Sequence, residues 1–124
     1  MFWNEAGRDR LVECFQLYRN QYQQFTGFDE DIGKRIIGCY NLGKINPKEP
    51  DLRLYYVGER GRVEEREFLA FWLKKSKRGR PYLIGNKNGL CYIGIIHINR
   101  FSEDDPYMTI YLVMKTTNNK ECIS

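Results

Sequence analysis

The chain has 124 residues, of which 42% are hydrophobic and 29% charged, a composition typical of one folded domain and not of a disordered segment. Aromatic residues make up 15%, which suits a binding surface as well as a core. The formal net charge of +4 allows contact with nucleic acid or another anionic surface without requiring it.

The first third of the chain predicts two helices. A helix over residues 5–25 is expected to pack its apolar face on a sheet. The alternative is that this face forms the interface of a homodimer. The acidic residues 29–31 favour the positive N-terminus of a second, shorter helix that runs to about Tyr40. The apolar residues of the first helix recur at steps of three and four, as one helical face requires: Leu11, Cys14, Phe15, Tyr18, Tyr22 and Phe25.

A loop at residues 46–50, with two prolines, divides the chain into two parts. We expect a single domain over residues 1–124, with a helical part at 1–46 and a β-rich part at 51–115. The tail at residues 116–124 is expected to be frayed.

The β-rich part begins with two predicted strands. Leu52, Leu54 and Tyr56 alternate with Arg53 and Tyr55, which is the period of a strand. The following segment, residues 63–73, fits a helix or a strand. A strand is preferred, because a glycine-rich turn precedes the segment and a basic run ends it.

A β-hairpin follows, with arms at residues 82–85 and 90–98. Its turn contains Asn88 and Gly89, two residue types that accept positive φ. The second arm and residues 107–114 are nearly continuous in apolar residues, which predicts central strands covered by the helices. Gly94 predicts a bulge or a close packing contact. The expected fold is therefore α+β: two N-terminal helices packed on an antiparallel, partly barrel-like sheet of about five strands.

The strongest functional feature is a basic run that lies between the strand predicted at residues 63–73 and the hairpin. Five cations fall within seven residues, and no acid lies among them. Such a cluster repels itself unless carboxylates or an anion neutralise it, and phosphate is the most common anion that does so. The alternative is a solvated loop that keeps the protein soluble. The five cations are Lys74, Lys75, Lys77, Arg78 and Arg80.

Aromatic residues near this run offer stacking faces to unpaired bases. We therefore predict a non-catalytic module that binds nucleic acid or a nucleotide, with single-stranded DNA or RNA favoured, in a viral, phage or regulatory setting. A domain that inhibits or adapts a protein partner is the alternative, and the salt dependence of binding separates the two. The predicted interface consists of Lys74, Lys75, Lys77, Arg78, Arg80, Tyr82, Lys87, Tyr92 and Arg100.

Cysteine spacing and the histidine count argue against a metal centre. None of the four cysteines forms a C-x-x-C pair, and His97 is the only histidine. We predict no metal or cofactor, and a structural role for His97. Cys14 and Cys91 fall in apolar patterns, which favours a reducing intracellular setting, cytoplasm or nucleus, although an even count also allows two disulfides. No signal peptide or membrane span is expected.

One resemblance covers about residues 51–101. The segments at 52–56, 61–67, 81–85 and 98–101 resemble a WYL domain. The resemblance implies a small Sm/SH3-like β-barrel that binds a nucleotide or single-stranded nucleic acid. It also implies that Tyr82, Arg100 and Arg66 face the ligand.

A second, shorter resemblance belongs to a different functional class. Residues 81–94 resemble the opening hairpin of a GIY-YIG nuclease. By that resemblance Tyr82 and Tyr92 position the attacking water, Arg100 steadies the phosphate, and a later glutamate holds a divalent metal. Only Glu103 and Glu121 follow, with no predicted helix to present them. A metal-dependent nuclease is thus the second alternative, and catalysis is left open.

Overall fold

A computed structural model describes residues 10–102 and 104–114, which form eight antiparallel strands closed into a barrel. Each strand pairs with the next, and β8 returns to pair with β1. The strands are β1 Arg10–Arg19, β2 Phe25–Asp29, β3 Lys34–Tyr40, β4 Leu52–Val57, β5 Leu69–Lys75, β6 Pro81–Lys87, β7 Leu90–Ile96 and β8 Met108–Met114.

The predicted α+β fold is therefore wrong, and so is the helical part at residues 1–46. Among the described residues the only helical segment is the 3-10 turn Glu59–Gly61, and the strands number eight instead of five. The apolar stripe proposed as a dimer face does not exist as a helix face, because its residues lie in β1, β2 and the turn between them. Residues 5–9 and the predicted frayed tail at 116–124 lie outside the described residues.

A β-bulge interrupts the alternation of the first strand. The register between β1 and β8 shifts between Glu13 and Phe15, so one extra residue interrupts the alternation of the strand. Val12 and Phe15, three residues apart, both face the interior as a result, whereas Leu17 follows Phe15 at the normal step of two. Of the predicted helical stripe only Phe15 and Phe25 are buried, whereas the interior of the barrel takes Val12 and Leu17, which the stripe leaves out.

The segment predicted as the second helix is a hairpin turn at residues 30–33 followed by strand β3. The Asp29 carboxylate accepts hydrogen bonds from the backbone N–H groups of Asp31 and Ile32, at 3.1 and 3.3 Å. The N–H of Gly33, at φ +78°, donates to the Asp29 carbonyl oxygen at 2.7 Å. The acidic side chain thus caps a turn instead of a helix, since both offer free backbone donors.

Several predicted strands are confirmed. The β6–β7 hairpin turns at Asn88 and Gly89, at φ +54° and +78°, as their sequence predicts. Strand β4 and the strand near residues 107–114 also form, but the interior of the barrel, and not helices, covers their core faces. Residues 63–73 are only partly a strand, because β5 begins at Leu69.

Inward-facing side chains fill the barrel, and interior glycines let its strands come close. A Cβ on Gly94 would lie 3.1 Å from the Ile110 side chain and 3.2 Å from the Met108 sulfur, which confirms the predicted close contact. A Cβ on Gly85 would clash with the Ala70 carbonyl oxygen. The buried core consists of Phe15, Leu17, Phe25, Ile36, Leu52, Leu54, Leu69, Phe71, Leu83, Met108 and Ile110.

The two ends of the barrel differ. Strand β1 pairs with β2 only at Tyr18 and Arg19, and β4 pairs with β5 only over residues 52–54. Both pairings lie at one end, here called the narrow end, which carries the connections at residues 20–24, 41–51, 76–80 and 97–107.

At the opposite end, here called the wide end, the β1–β2 and β4–β5 pairs diverge. Its connections are residues 30–33, 58–68 and 88–89. The long connection after β4 runs beside that strand, since Glu64 and Phe68 donate backbone hydrogen bonds to Tyr56 and Leu54, each 2.9 Å. No helix in the described part of the chain is both long and apolar enough to cross a membrane.

Candidate functional site

Positive charge concentrates at the narrow end. Because alternate connections of an up-and-down barrel emerge at the same end, four segments that are distant in sequence meet there. The described residues of these connections carry six cations and four acids, and three further cations at the adjoining ends of β1 and β5 bring the cations to nine. The cations are Arg19, Lys44, Lys48, Lys74, Lys75, Lys77, Arg78, Arg80 and Arg100, and the acids are Glu49, Asp51, Asp104 and Asp105.

The basic run forms the tight turn between β5 and β6. Ser76 closes it: its carbonyl oxygen accepts from the Gly79 N–H at 2.9 Å, and its hydroxyl accepts from the Arg80 N–H at 3.1 Å. Lys77 and Arg78 stand exposed at the tip. Lys75, Lys77, Arg78 and Arg80 form no ion pair with any described carboxylate. These charges are therefore not neutralised within the described fold.

The neighbouring loop at residues 41–51 is fixed to β5 by the Asp51 carboxylate. It accepts from the Leu73 N–H at 2.8 Å and from Lys44 Nζ at 3.1 Å. Desolvation opposes ionisation, but the hydrogen bonds from Leu73 and Lys44 prevail and lower the pKa of Asp51. Trp72 Nε1 also donates to the Lys48 carbonyl oxygen at 3.1 Å. Asp51 is thus already used by Lys44 and the backbone.

Three aromatic side chains accompany the basic turn. Tyr82 lies directly opposite Lys74 in the β5–β6 ladder, and both face outward because Leu83 faces the core. Tyr22 and Phe101 project from two other narrow-end connections and are 71% and 94% exposed.

Sequence reasoning missed Tyr22 and Phe101. Tyr22 matched the false helical stripe. Phe101 stands alone among turn-forming polar residues, without an apolar residue two positions away. That isolation was a usable sign of exposure, since a core strand residue has apolar neighbours at a spacing of two.

A cation–aromatic cluster plugs the narrow end from inside. The Arg19 guanidinium carbon lies 5.3 Å from the Phe25 ring centre, 6.0 Å from that of Tyr40 and 5.2 Å from that of Tyr107. Arg100 lies over the same Tyr107 ring at 5.2 Å. The Nε atoms of both arginines are buried without a hydrogen-bond partner among the described residues. Arg100 therefore packs against Tyr107, whereas the sequence predicted that its side chain faces a ligand.

Tyr40 of this cluster gives the fold a dependence on alkaline pH. Burial, with Tyr107 beside it, raises the pKa of Tyr40 from about 10 to about 12. Between these values the unfolded chain releases the proton first, so the stabilisation that is complete below pH 10 is lost as the pH rises toward 12. In urea titrations from pH 9 to 12, the free energy of unfolding should fall more steeply for the wild type than for Tyr40→Phe. Parallel pH curves would contradict this assignment.

The nine predicted interface residues do not form one surface. Seven lie at the narrow end, whereas Lys87 and Tyr92 lie at the wide end and line its cavity. Tyr82 and Tyr92, the pair implied by the nuclease resemblance, are at opposite ends of one hairpin and face opposite sides. Arg66 lies exposed in the wide-end connection 58–68, away from Tyr82 and Arg100.

The remaining candidate residues make local contacts. His97 Nε2 lies 2.6 Å from the Thr109 hydroxyl. Cys14 and Cys39 are free and exposed, whereas Cys91 is disulfide-bonded and not the reduced hydrophobe that its apolar strand predicted. Within residues 10–102 and 104–114, no three His, Cys, Asp or Glu side chains form a group that suits a metal ion.

No protein-family model, curated protein or solved structure matches this chain. The resemblances to WYL domains and to the GIY-YIG hairpin therefore stay predictions.

Proposed function

We propose that the narrow end binds single-stranded nucleic acid without catalysing a reaction on it. The observation that carries the proposal is the excess of cations at this end: six against four acids among the described residues of its connections, with Arg19, Lys74 and Lys75 at the adjoining strand ends. The wide end has no such excess. If the net charge of +4 were spread evenly over the surface, it would attract a phosphate backbone only weakly from every side. Positive charge that is clustered at one end gives the phosphate backbone one place to bind.

The basic turn supplies the phosphate contacts in this proposal. Lys75, Lys77, Arg78 and Arg80 are exposed and lack ion-pair partners among the described carboxylates, so a polyanion meets no competing internal acid. Each phosphate they neutralise releases a condensed counterion, which makes binding favourable and dependent on salt.

Aromatic rings at this end favour single strands over duplex. Tyr22 and Phe101 are exposed and Tyr82 is partly exposed at the same end as the cations, and bases of a single strand are free to stack on such rings. In a duplex the bases already stack on each other, so these rings contribute little. Tyr82 and Tyr92 do not converge, which favours binding without cleavage.

The stacking role has a direct test at Phe101. Phe101→Ala should cost about 1–3 kcal/mol of binding free energy for a labelled oligo(dT), read by fluorescence anisotropy at low salt. The same substitution should change duplex binding much less. Leu42→Ala is the matched control, because Leu42 is a 93% exposed apolar side chain of the same end that has no ring.

Equal losses from the two variants would show that apolar contact, and not stacking, holds the oligonucleotide. No binding of either oligonucleotide to the wild type at low salt would overturn the proposal itself.

A protein partner is the second candidate, favoured by the loop at residues 41–51. Leu42 and Ile45 are 93% and 90% exposed there, and apolar side chains at such exposure often mark protein contacts. A partner held by Leu42 and Ile45 would bind with little dependence on salt. Phosphate binding instead weakens linearly in the logarithm of the salt concentration.

A further inference from the structure

The wide end holds a cavity that the proposed function does not use. It has a volume of about 430 Å³ and lies inside the barrel mouth, where the β1–β2 and β4–β5 strand pairs diverge. An eight-stranded barrel has an interior wide enough for one small ligand when side chains leave part of it free. Apolar and aromatic residues dominate the wall: Val12, Phe15, Ile32, Tyr56, Phe68, Leu69, Leu90, Tyr92 and Leu112.

A stacked aromatic pair organises the wall. The Tyr56 and Phe68 rings are parallel to within 7°, with centroids 3.8 Å apart, and Phe15 meets the Phe68 ring edge-on at 6.1 Å. Each outer face of the stack carries a cation: Lys34 Nζ lies 5.8 Å from the Tyr56 centroid and Lys87 Nζ lies 5.6 Å from that of Phe68. The two lysines therefore occupy similar positions relative to one aromatic pair.

The two lysines differ in their partners. Lys34 Nζ forms an ion pair with Glu64 at 2.7 Å and does not line the cavity. Lys87 lines the cavity, and its ammonium has no carboxylate or hydrogen-bond partner among the described residues. A half-buried ammonium held only by a ring face keeps three donors for an incoming anion.

Asp29, the least exposed acid of the cavity wall, does not pair with the Lys87 ammonium. Asp29 accepts from the Tyr56 hydroxyl at 2.8 Å and from the backbone N–H groups of Asp31 and Ile32. Its charge is thus spread over three donors on the β2–β3 side of the mouth. Lys87 is instead the last residue of β6, next to the β6–β7 turn. Glu13 and Asp31 are exposed, so water screens them.

Partial burial of Tyr92 in this wall is the main reason that its pKa is raised, with Cys14 and Asp29 adding to the rise. A second cavity of about 460 Å³ lies on the β1–β2 seam and shares Glu13, Cys14, Phe15 and Asp31 with the first. This second cavity adjoins the part of β1 and β2 that does not pair.

We propose that this cavity binds a small molecule with an aromatic or apolar body and a carboxylate head, which pairs with the Lys87 ammonium. The body lies against Phe15, Phe68 and Tyr92, and the head reaches the end of β6, where Lys87 adjoins Asn88 of the turn. The apolar body supplies most of the favourable desolvation, and the ion pair sets the charge preference. This site is independent of the narrow end.

The test uses three probes that share one ring and differ in charge: indole-3-propionate, 3-methylindole and tryptamine. Binding is measured by titration into ¹⁵N-labelled protein, with chemical shifts of the cavity residues as the readout. The expected order of affinity is anion, then neutral probe, then cation. A hydrogen bond to a charged group predicts a difference of about 10- to 100-fold between the first two.

Lys87→Met should bring the affinity for indole-3-propionate down to that for 3-methylindole. Lys34→Met is the matched control, because it removes the other cation of the same stack without changing the lining, and it should leave all three affinities unchanged. The exposed Lys34–Glu64 pair is a weak source of stability, so this variant is expected to fold. Oligonucleotide binding should be the same for both variants and the wild type.

Three results would overturn the proposal. One is tighter binding of tryptamine than of indole-3-propionate. Another is an equal loss in Lys87→Met and Lys34→Met. The third is the absence of any shift at cavity residues with all three probes at millimolar concentration.

Discussion

Replacing Lys75, Lys77, Arg78 and Arg80 together with alanine should reduce the salt dependence of oligonucleotide binding by about 3 in the log–log slope. Each lost phosphate contact removes about 0.7 from the slope for a single strand, and four exposed cations are lost. These side chains point into solvent and form no ion pair with a described carboxylate, so their removal is not expected to disturb the barrel. The measurement is anisotropy of a labelled oligo(dT) at a series of salt concentrations.

The control for this variant removes the same charge from the other end of the barrel. Arg35, Arg60, Arg62 and Arg66 are exposed near or in the wide-end connections, and their replacement by alanine also lowers the net charge by four. The control should retain most of the wild-type slope. If both variants lose affinity and slope equally, binding follows total charge and the narrow end is not a site.

The second large effect concerns stability. Phe71→Ala should lower the free energy of unfolding by about 3–5 kcal/mol, a large share of the roughly 5–15 kcal/mol of a typical domain. Phe71 is fully buried and lies opposite Leu52, in the short stretch where β4 and β5 still pair. The interior position of Gly85 lies against the Phe71 ring, so no neighbouring side chain on that strand fills the space that alanine leaves.

Urea denaturation followed by circular dichroism measures this loss. Phe28→Ala is the matched control, because Phe28 is on an outer face of β2 and is half exposed. Its cost should be well below that of Phe71→Ala. Similar costs for the two variants would contradict the placement of the core inside the barrel.

The parts of the fold that sequence could predict are those set by local chemistry. The β6–β7 hairpin follows from the positive φ that Asn88 and Gly89 accept, and β4 follows from the strict alternation of Leu52, Leu54 and Tyr56. The error in β1 has a non-local cause, because the bulge next to Phe15 breaks the alternation of the interior residues of that strand. Pairing with β8 creates the bulge, and no periodicity within β1 encodes that pairing.

The candidate site was predictable to a similar extent. The basic turn is visible in the sequence because its cations are close together along the chain. Which other connections lie at the same end of the barrel depends on how many strands precede the turn. Without β1 and β2, Tyr22 had no reason to be placed near it. The wide-end cavity was not predictable, since it arises where β1 and β2 stop pairing and no residue pattern marks that position.

One titration tests most directly whether the narrow end is the nucleic-acid site. Unlabelled oligo(dT) is added to ¹⁵N-labelled protein, and amide shift changes are mapped along the chain. We expect them in the connections 20–24 and 76–80 and in the connection from β7 to β8, with the turns at 30–33 and 88–89 unchanged. Shifts concentrated at the wide-end turns, or no shifts at low salt, would contradict the assignment of the basic end as the binding surface.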